Sequence, residues 1–149
     1  MTVAQLTVAL SVLCTSIAMS PVSRDRHRDG PQQKAATTIT VKLIGDAKGY
    51  RFDPARIVAH VGDVVVFQSQ IGGPHNVTFW QDSIPAGAAS QLQANMSGTT
   101  GPLTGSLIIN TGDSYTVPLA KLTPGTYKFY CLPHLALGMR GEIVVQAVN

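Results

Sequence analysis

Three residue types that bind soft metal ions fall in one short stretch of this 149-residue chain, YCLPHLALGM, residues 130–139. They are Cys131, His134 and Met139. Each alone has an ordinary reading: a buried core thiol, a surface imidazole, a flexible gap filler. Together they supply a thiolate, an imidazole and a thioether. One thiolate with imidazoles and a weak, long thioether is the donor set of the trigonal copper sites that transfer electrons. Such a site wants a second imidazole from elsewhere. His75 is the natural candidate, because it follows the turn GGP and opens the run HNVTFW. His60 also lies near a strand end, but HVGD reads as an exposed turn. His27 sits among charges and reads as solvated surface.

The elements around these residues read as β throughout. Ile39, Val41 and Leu43 alternate with Thr38, Thr40 and Lys42, the period of a half-buried strand. RIVAH, VVVFQS, HNVTFW, GSLIIN, SYTVPL, GTYKFYC and GEIVVQAV follow, separated by Gly45, Pro54, Gly62, Gly112 and Pro124-Gly125. About eight short strands with turn signals predict a sandwich or barrel. In HNVTFW the alternation puts His75, Val77 and Phe79 on one face. In GTYKFYC it aligns Tyr127, Phe129 and Cys131, with Lys128 and Tyr130 opposite. Cys131 then ends an inward-facing strand, and His134 and Met139 follow in a turn that Pro133 and Gly138 suit. Residues 81–104, rich in Ala, Gly and Ser, break the rhythm, with one helical turn expected near Ala88–Gln93.

Three segments are expected. Residues 1–20 are uncharged and mostly apolar, as in a secretory leader. Ala18 and Ser20 are small residues at −3 and −1 of a cut before Pro21, and a cut after Ala18 is the alternative. A retained membrane anchor is the rival, since the run approaches the ~20 residues that span a bilayer. Leu13 is bulky before Cys14, which argues against lipid attachment there. Residues 21–36 are polar and aperiodic, a flexible linker. Residues 37–149 form the domain. With the leader removed, Cys131 is the lone cysteine and has no disulfide partner.

Charge excludes other classes. The net charge is +3. Residues 21–36 hold four cations against two anions, which leaves only +1 for the domain. No basic stripe with interleaved aromatics suggests nucleic acid. Charged residues make up 13% and hydrophobic residues 44%, so the chain can bury a core.

The pieces GGPHNVTFW, DSIPAG and GTYKFYCLPHLALGMRGEIVV resemble the blue-copper cupredoxins, and plastocyanins among them, over about residues 38–148. The resemblance implies a Greek-key β-sandwich. It implies one type 1 copper per chain on His75, Cys131, His134 and Met139. Asn76 matches an asparagine that ties the two ligand loops together. Pro133, Leu135, Ala136 and Leu137 would form an apolar rim around His134 where redox partners dock transiently. Tyr130 matches a tyrosine that offers a second, lateral contact. The plant pattern carries acidic clusters for a basic partner, whereas this region offers Asp82 and places Lys128 and Arg140 close to the site. The photosynthetic partners therefore do not carry over.

The expected function is one-electron transfer between redox partners outside the cytoplasm, in a periplasm or a thylakoid-lumen-like compartment, by a monomer with no catalytic residues. A copper oxidase or reductase needs a further copper, and only His27 and His60 remain to ligate one. A storage or delivery protein favours Met-rich or multi-Cys sites. The chain has four Met, of which Met1 and Met19 lie in the leader.

Overall fold

The computed structural model describes residues 35–148. The leader 1–20, with Cys14, and nearly all of the linker 21–36, with His27, lie outside the described residues.

Eight strands form two four-stranded sheets. They are β1 (Thr38–Asp46), β2 (Gly49–Asp53), β3 (Arg56–His60), β4 (Val64–Ile71), β5 (Thr78–Phe79), β6 (Ser114–Pro118), β7 (Gly125–Tyr130) and β8 (Arg140–Gln146). The first sheet has the order β2-β1-β4-β6 and the second β3-β8-β7-β5. The chain changes sheet at every connection from β2 to β7, the Greek-key habit of a β-sandwich. Two pairings are parallel, β1 with β4 and β3 with β8. The first closes the start of the domain onto its middle, the second its early part onto its end.

Alternation builds the core. Val41, Leu43, Val65, Phe67, Tyr115 and Val117 point inward from the first sheet. Ile57, Ala59, Tyr127, Phe129, Ile143 and Val145 meet them from the second. Phe129 is the hub, with Phe52, Phe67 and Phe79 around it at ring distances of 4.8, 5.2 and 5.8 Å, all edge-on. Removing a fully buried Phe of this kind costs about 3–5 kcal/mol. One short helix, α1 (Ala89–Asn95), lies where a single turn was expected and buries Leu92.

Two expectations need correction, and one strand was not foreseen. GSLIIN is no strand: it carries the single bridge of Ile108 to His75, and the residue before it, Thr104, bridges to Thr78. Gly105 packs on the Tyr115 ring, and Leu107 and Ile109 stay exposed. HNVTFW is a strand only at Thr78–Phe79, and all of His75–Phe79 is buried, so it lacks the solvent face that alternation assumed. The eighth strand is instead GYRFD, β2. Its signal is three residues long, Tyr50 and Phe52 about Arg51, and it lies directly after a turn.

Candidate metal centre

The end of the sandwich where β7 stops and β8 starts holds the ligand candidates. Cys131 follows β7 directly, and residues Leu132–Leu137 coil into a 3-10 turn before β8. Tyr130 and Arg140 pair at the base of this loop. Backbone bonds close it from within: Cys131 N–H to Met139 O (3.1 Å), His134 N–H to Cys131 O (3.1 Å), Met139 N–H to His134 O (3.3 Å) and Gly138 N–H to Leu135 O (3.0 Å). Gly138 takes φ +83°, a left-handed conformation that glycine adopts without strain.

His75 arrives from the other side. Its backbone exchanges two hydrogen bonds with Ile108, 3.0 and 2.7 Å. Its ring Nε2 lies 3.1 Å from Ile71 O. A carbonyl only accepts, so Nε2 carries the proton and Nδ1 presents its lone pair. That Nδ1 is 3.9 Å from Cys131 Sγ, and His134 Nδ1 is 3.4 Å from the same sulfur. The three donor atoms lie within 4.8 Å of one another, and all three residues are buried. Met139, the fourth candidate, is fully buried and tied to Cys131 through the backbone.

The donor set fits a metal ion. Bonds of about 2.0 Å to nitrogen and 2.3 Å to sulfur, opened to a trigonal angle, separate N from S by about 3.8 Å. The observed separations bracket that value. Softness argues for copper: the cluster holds a thiol, two imidazoles and a neighbouring thioether, with no carboxylate. Burial pushes the His75 imidazole below its ordinary range, opposed in part by its bond to Ile71. Burial does the same to His134, helped by the neighbouring His75. Both shifts favour the neutral imidazole, the form a metal ligand needs. Burial pushes the Cys131 thiol up, opposed by the backbone N–H groups of Asn76 and His134. A bound cation must therefore displace the thiol proton.

Asn76 bridges the two ligand segments as expected. Its Oδ1 accepts from the Leu132 N–H at 2.7 Å, its backbone N–H points at Cys131 Sγ at 3.4 Å, and its Nδ2 reaches Thr78 Oγ1 at 3.4 Å. Such outer bonds orient the ligands and tune the sulfur. It is also only 3% exposed, so its Asn-x-Thr context is not open to a glycan.

Tyr50 was not among the expected site residues. Its ring stacks on His134 with centroids 3.8 Å apart and planes at 21°, and it meets His75 edge-on at 6.3 Å. Gly45, its cross-strand partner, makes the room: a Cβ there would collide with the Tyr50 ring. The period-2 signal of Tyr50 and Phe52 was present, but nothing local in the chain links Tyr50 to a residue 84 positions away.

His60 takes no part. It pairs in register with Gln146, at the far end of β8 from Arg140, roughly 20 Å away at strand rise. There its Nδ1 is 3.7 Å from the Asp63 carboxylate.

The rim of the site is apolar. Leu132 and Leu137 are 54% and 60% exposed, and Pro133 and Ala136 are exposed beside them. Ile71, Leu107 and Ile109 are exposed in and after the segments that bracket His75. His134 itself is 8% exposed, at the centre of the loop that carries this rim. On the flank, Trp80 packs on Tyr130 at 4.4 Å, and the Arg140 guanidinium lies 5.8 Å from the Trp80 ring.

Comparison with known proteins agrees with this geometry. Residues 39–146 match the family described as copper binding proteins, plastocyanin/azurin family. The chain is 35% identical over 105 residues to plastocyanin A/B of Petroselinum crispum, covering 70% of this chain and 97% of that protein. It is 37% identical over 112 residues to plastocyanin of Prochlorothrix hollandica, covering 75% and 76%. Among solved structures, the oxidised plastocyanin of Dryopteris crassirhizoma superposes with a TM-score of 0.55 at 30% identity, covering 72% of this chain and all of that one. With a matching fold, a copper-compatible donor set and a family match across most of its length, the chain belongs to the plastocyanin/azurin family of copper binding proteins.

Proposed function

We propose that this chain is a type 1 copper protein that carries one electron at a time between redox partners outside the cytoplasm. His75, Cys131, His134 and Met139 would hold the ion. The observation that carries the reading is the buried cluster of Cys131 Sγ with the Nδ1 atoms of His75 and His134, all within 4.8 Å. A copper ion so bound supplies a Cu(II)/Cu(I) couple at a thiolate.

The protein's part is to hold the donors still and dry. Asn76 locks the loops, Ile71 O fixes the His75 tautomer, and Tyr50 covers one face of His134. A frame braced in this way changes little between charge states, and small rearrangement favours fast exchange. The apolar rim around His134 is the surface on which a partner would dock, and it suits a small, short-lived contact. The apolar leader 1–20 supports export, either cleaved or kept as an anchor, with 37–149 as the working domain. A carrier is favoured over an enzyme because, among the described residues, His60 is the only imidazole outside the cluster, and it pairs with Gln146 at the opposite end of the second sheet.

The test is the visible spectrum of the copper-loaded chain with its metal content. One copper per chain and an intense visible band from thiolate-to-copper charge transfer are expected. A colourless loaded protein, or more than one bound copper, would overturn the reading.

A further inference from the structure

We infer that Thr78 is a positioning residue for the metal centre: its hydroxyl holds the Asn76 carboxamide, and through it the loop that carries Cys131 and His134. This rests on the electron-carrier reading above and adds a residue to the frame of that same site.

Thr78 is polar where packing alone asks for an apolar side chain. It is 5% exposed and lies in β5, a strand whose two residues are both buried. A valine has nearly the same shape and would bury there without taking a hydroxyl out of water. The hydroxyl has one partner among the described residues, Asn76 Nδ2 at 3.4 Å. The direction of that contact is fixed. Leu132 N–H only donates, so Asn76 Oδ1 faces it at 2.7 Å, and the amide nitrogen must turn toward Thr78 Oγ1, which accepts.

The two ends of the carboxamide are held by unequal supports. Leu132 opens the ligand loop and is 54% exposed. Thr78 is set between neighbours: it pairs in register with Tyr130 on one side and bridges to Thr104 on the other. Its β-branched side chain is stiff at χ1. The terminal torsion of an asparagine is broad, so the carboxamide does not orient itself. The strand therefore sets the amide, and the amide sets the residue next to Cys131. Asn76 also aims its backbone N–H at Cys131 Sγ, 3.4 Å away. The bond to Leu132 keeps that N–H and the sulfur together, and a carboxamide free to turn would loosen it.

The test separates the hydroxyl of Thr78 from its methyl. Thr78→Val keeps the shape and loses the hydroxyl, whereas Thr78→Ser keeps the hydroxyl and loses the methyl. The first readout is hydrogen exchange at Leu132 N–H in the metal-free protein, followed by NMR. That residue is exposed, so its N–H owes its protection to Asn76. Exchange should be about 5-fold faster in the Val variant and within about 2-fold of wild type in the Ser variant. The second readout is the reduction potential of the copper-loaded protein. An N–H aimed at the sulfur favours the more electron-rich reduced state, so the potential should fall in the Val variant and hold in the Ser variant. On an Asn76→Ala background, Thr78→Val should shift the potential no further, because the two residues act as one unit. Urea midpoints should rank the other way, with Ser below Val for the lost methyl. Unchanged Leu132 exchange in the Val variant, or a Val variant that is less stable than Ser or does not fold, would make Thr78 a packing residue and overturn the inference. A wild-type chain that takes up copper without the intense visible band would overturn the carrier reading and the metal-centre role with it. The exchange measurement, which needs no metal, tells the two failures apart.

Discussion

The Tyr50 ring lies face to face with the His134 imidazole, centroids 3.8 Å apart. An edge strand of the first sheet thus supports a ligand candidate carried by a loop of the second. Substituting Tyr50 by Ala removes the stack and opens one face of His134 to water. We expect a loss of about 1–3 kcal/mol in the metal-free protein, from lost burial and ring contact. Tyr50→Phe should retain most of that stability. Urea unfolding of the three proteins checks it. A Phe variant as weak as Ala would place the effect in the hydroxyl instead of the ring.

Cys131→Ser replaces the thiolate by a hydroxyl and should abolish the intense visible band. Met139→Leu conserves volume in a fully buried position, so stability should change by less than about 1.5 kcal/mol. Copper should stay bound while the reduction potential rises, because a weak axial donor to Cu(II) is lost. Absorption and cyclic voltammetry read both. An unchanged spectrum in the Ser variant, or an unchanged potential in the Leu variant, would remove that residue from the ligand set.

Asn76→Ala leaves the Leu132 N–H without its 2.7 Å acceptor and unties the two ligand segments. The cost is about 1–3 kcal/mol, the range for a buried donor left unpaired. Copper should still bind, with a broadened visible band, because the loops are less firmly set. Thermal unfolding and absorption line width test this together.

The metal-free domain should be most stable between two pH limits. Burial lowers the His75 and His134 values below 6.5, so below that pH the unfolded chain binds protons that the folded one does not. Stability then falls as the pH drops. Burial raises Cys131 above 9.0, so above that pH the unfolded chain loses a proton that the folded one keeps, and stability falls as the pH rises. Denaturant midpoints across this range should form a plateau with two falling flanks. Cys131→Ser should remove the alkaline contribution of this thiol, and a flank that stays identical would refute that origin.

The ligand candidates were legible in the sequence because three of them sit in one turn whose flanking strands alternate cleanly. Tyr127 and Phe129 announce the strand, and its inward face continues into Cys131. His75 was legible from its place after a Gly-Gly-Pro turn, although the strand it was expected to open is two residues long. Periodicity failed there because both sides of His75–Phe79 are covered, and a segment buried all round has no polar half to alternate with. It failed in GSLIIN for another reason: apolar side chains there face solvent at the rim of the site. The stack of Tyr50 on His134 was beyond reach, since it depends on how two sheets meet and on the room left by Gly45.

The pairing of β3 with β8 sets a schedule for biosynthesis. Arg56 cannot meet Glu142 until 86 further residues have been made. The hairpin of β7 and β8 that frames Cys131, His134 and Met139 is likewise made after the six other strands of the sandwich. A nascent chain therefore offers His75 early but no finished cage, and loading must follow folding. Until then the sulfur is the exposed part of an unfinished hairpin, and its safety depends on how quickly the final strand docks.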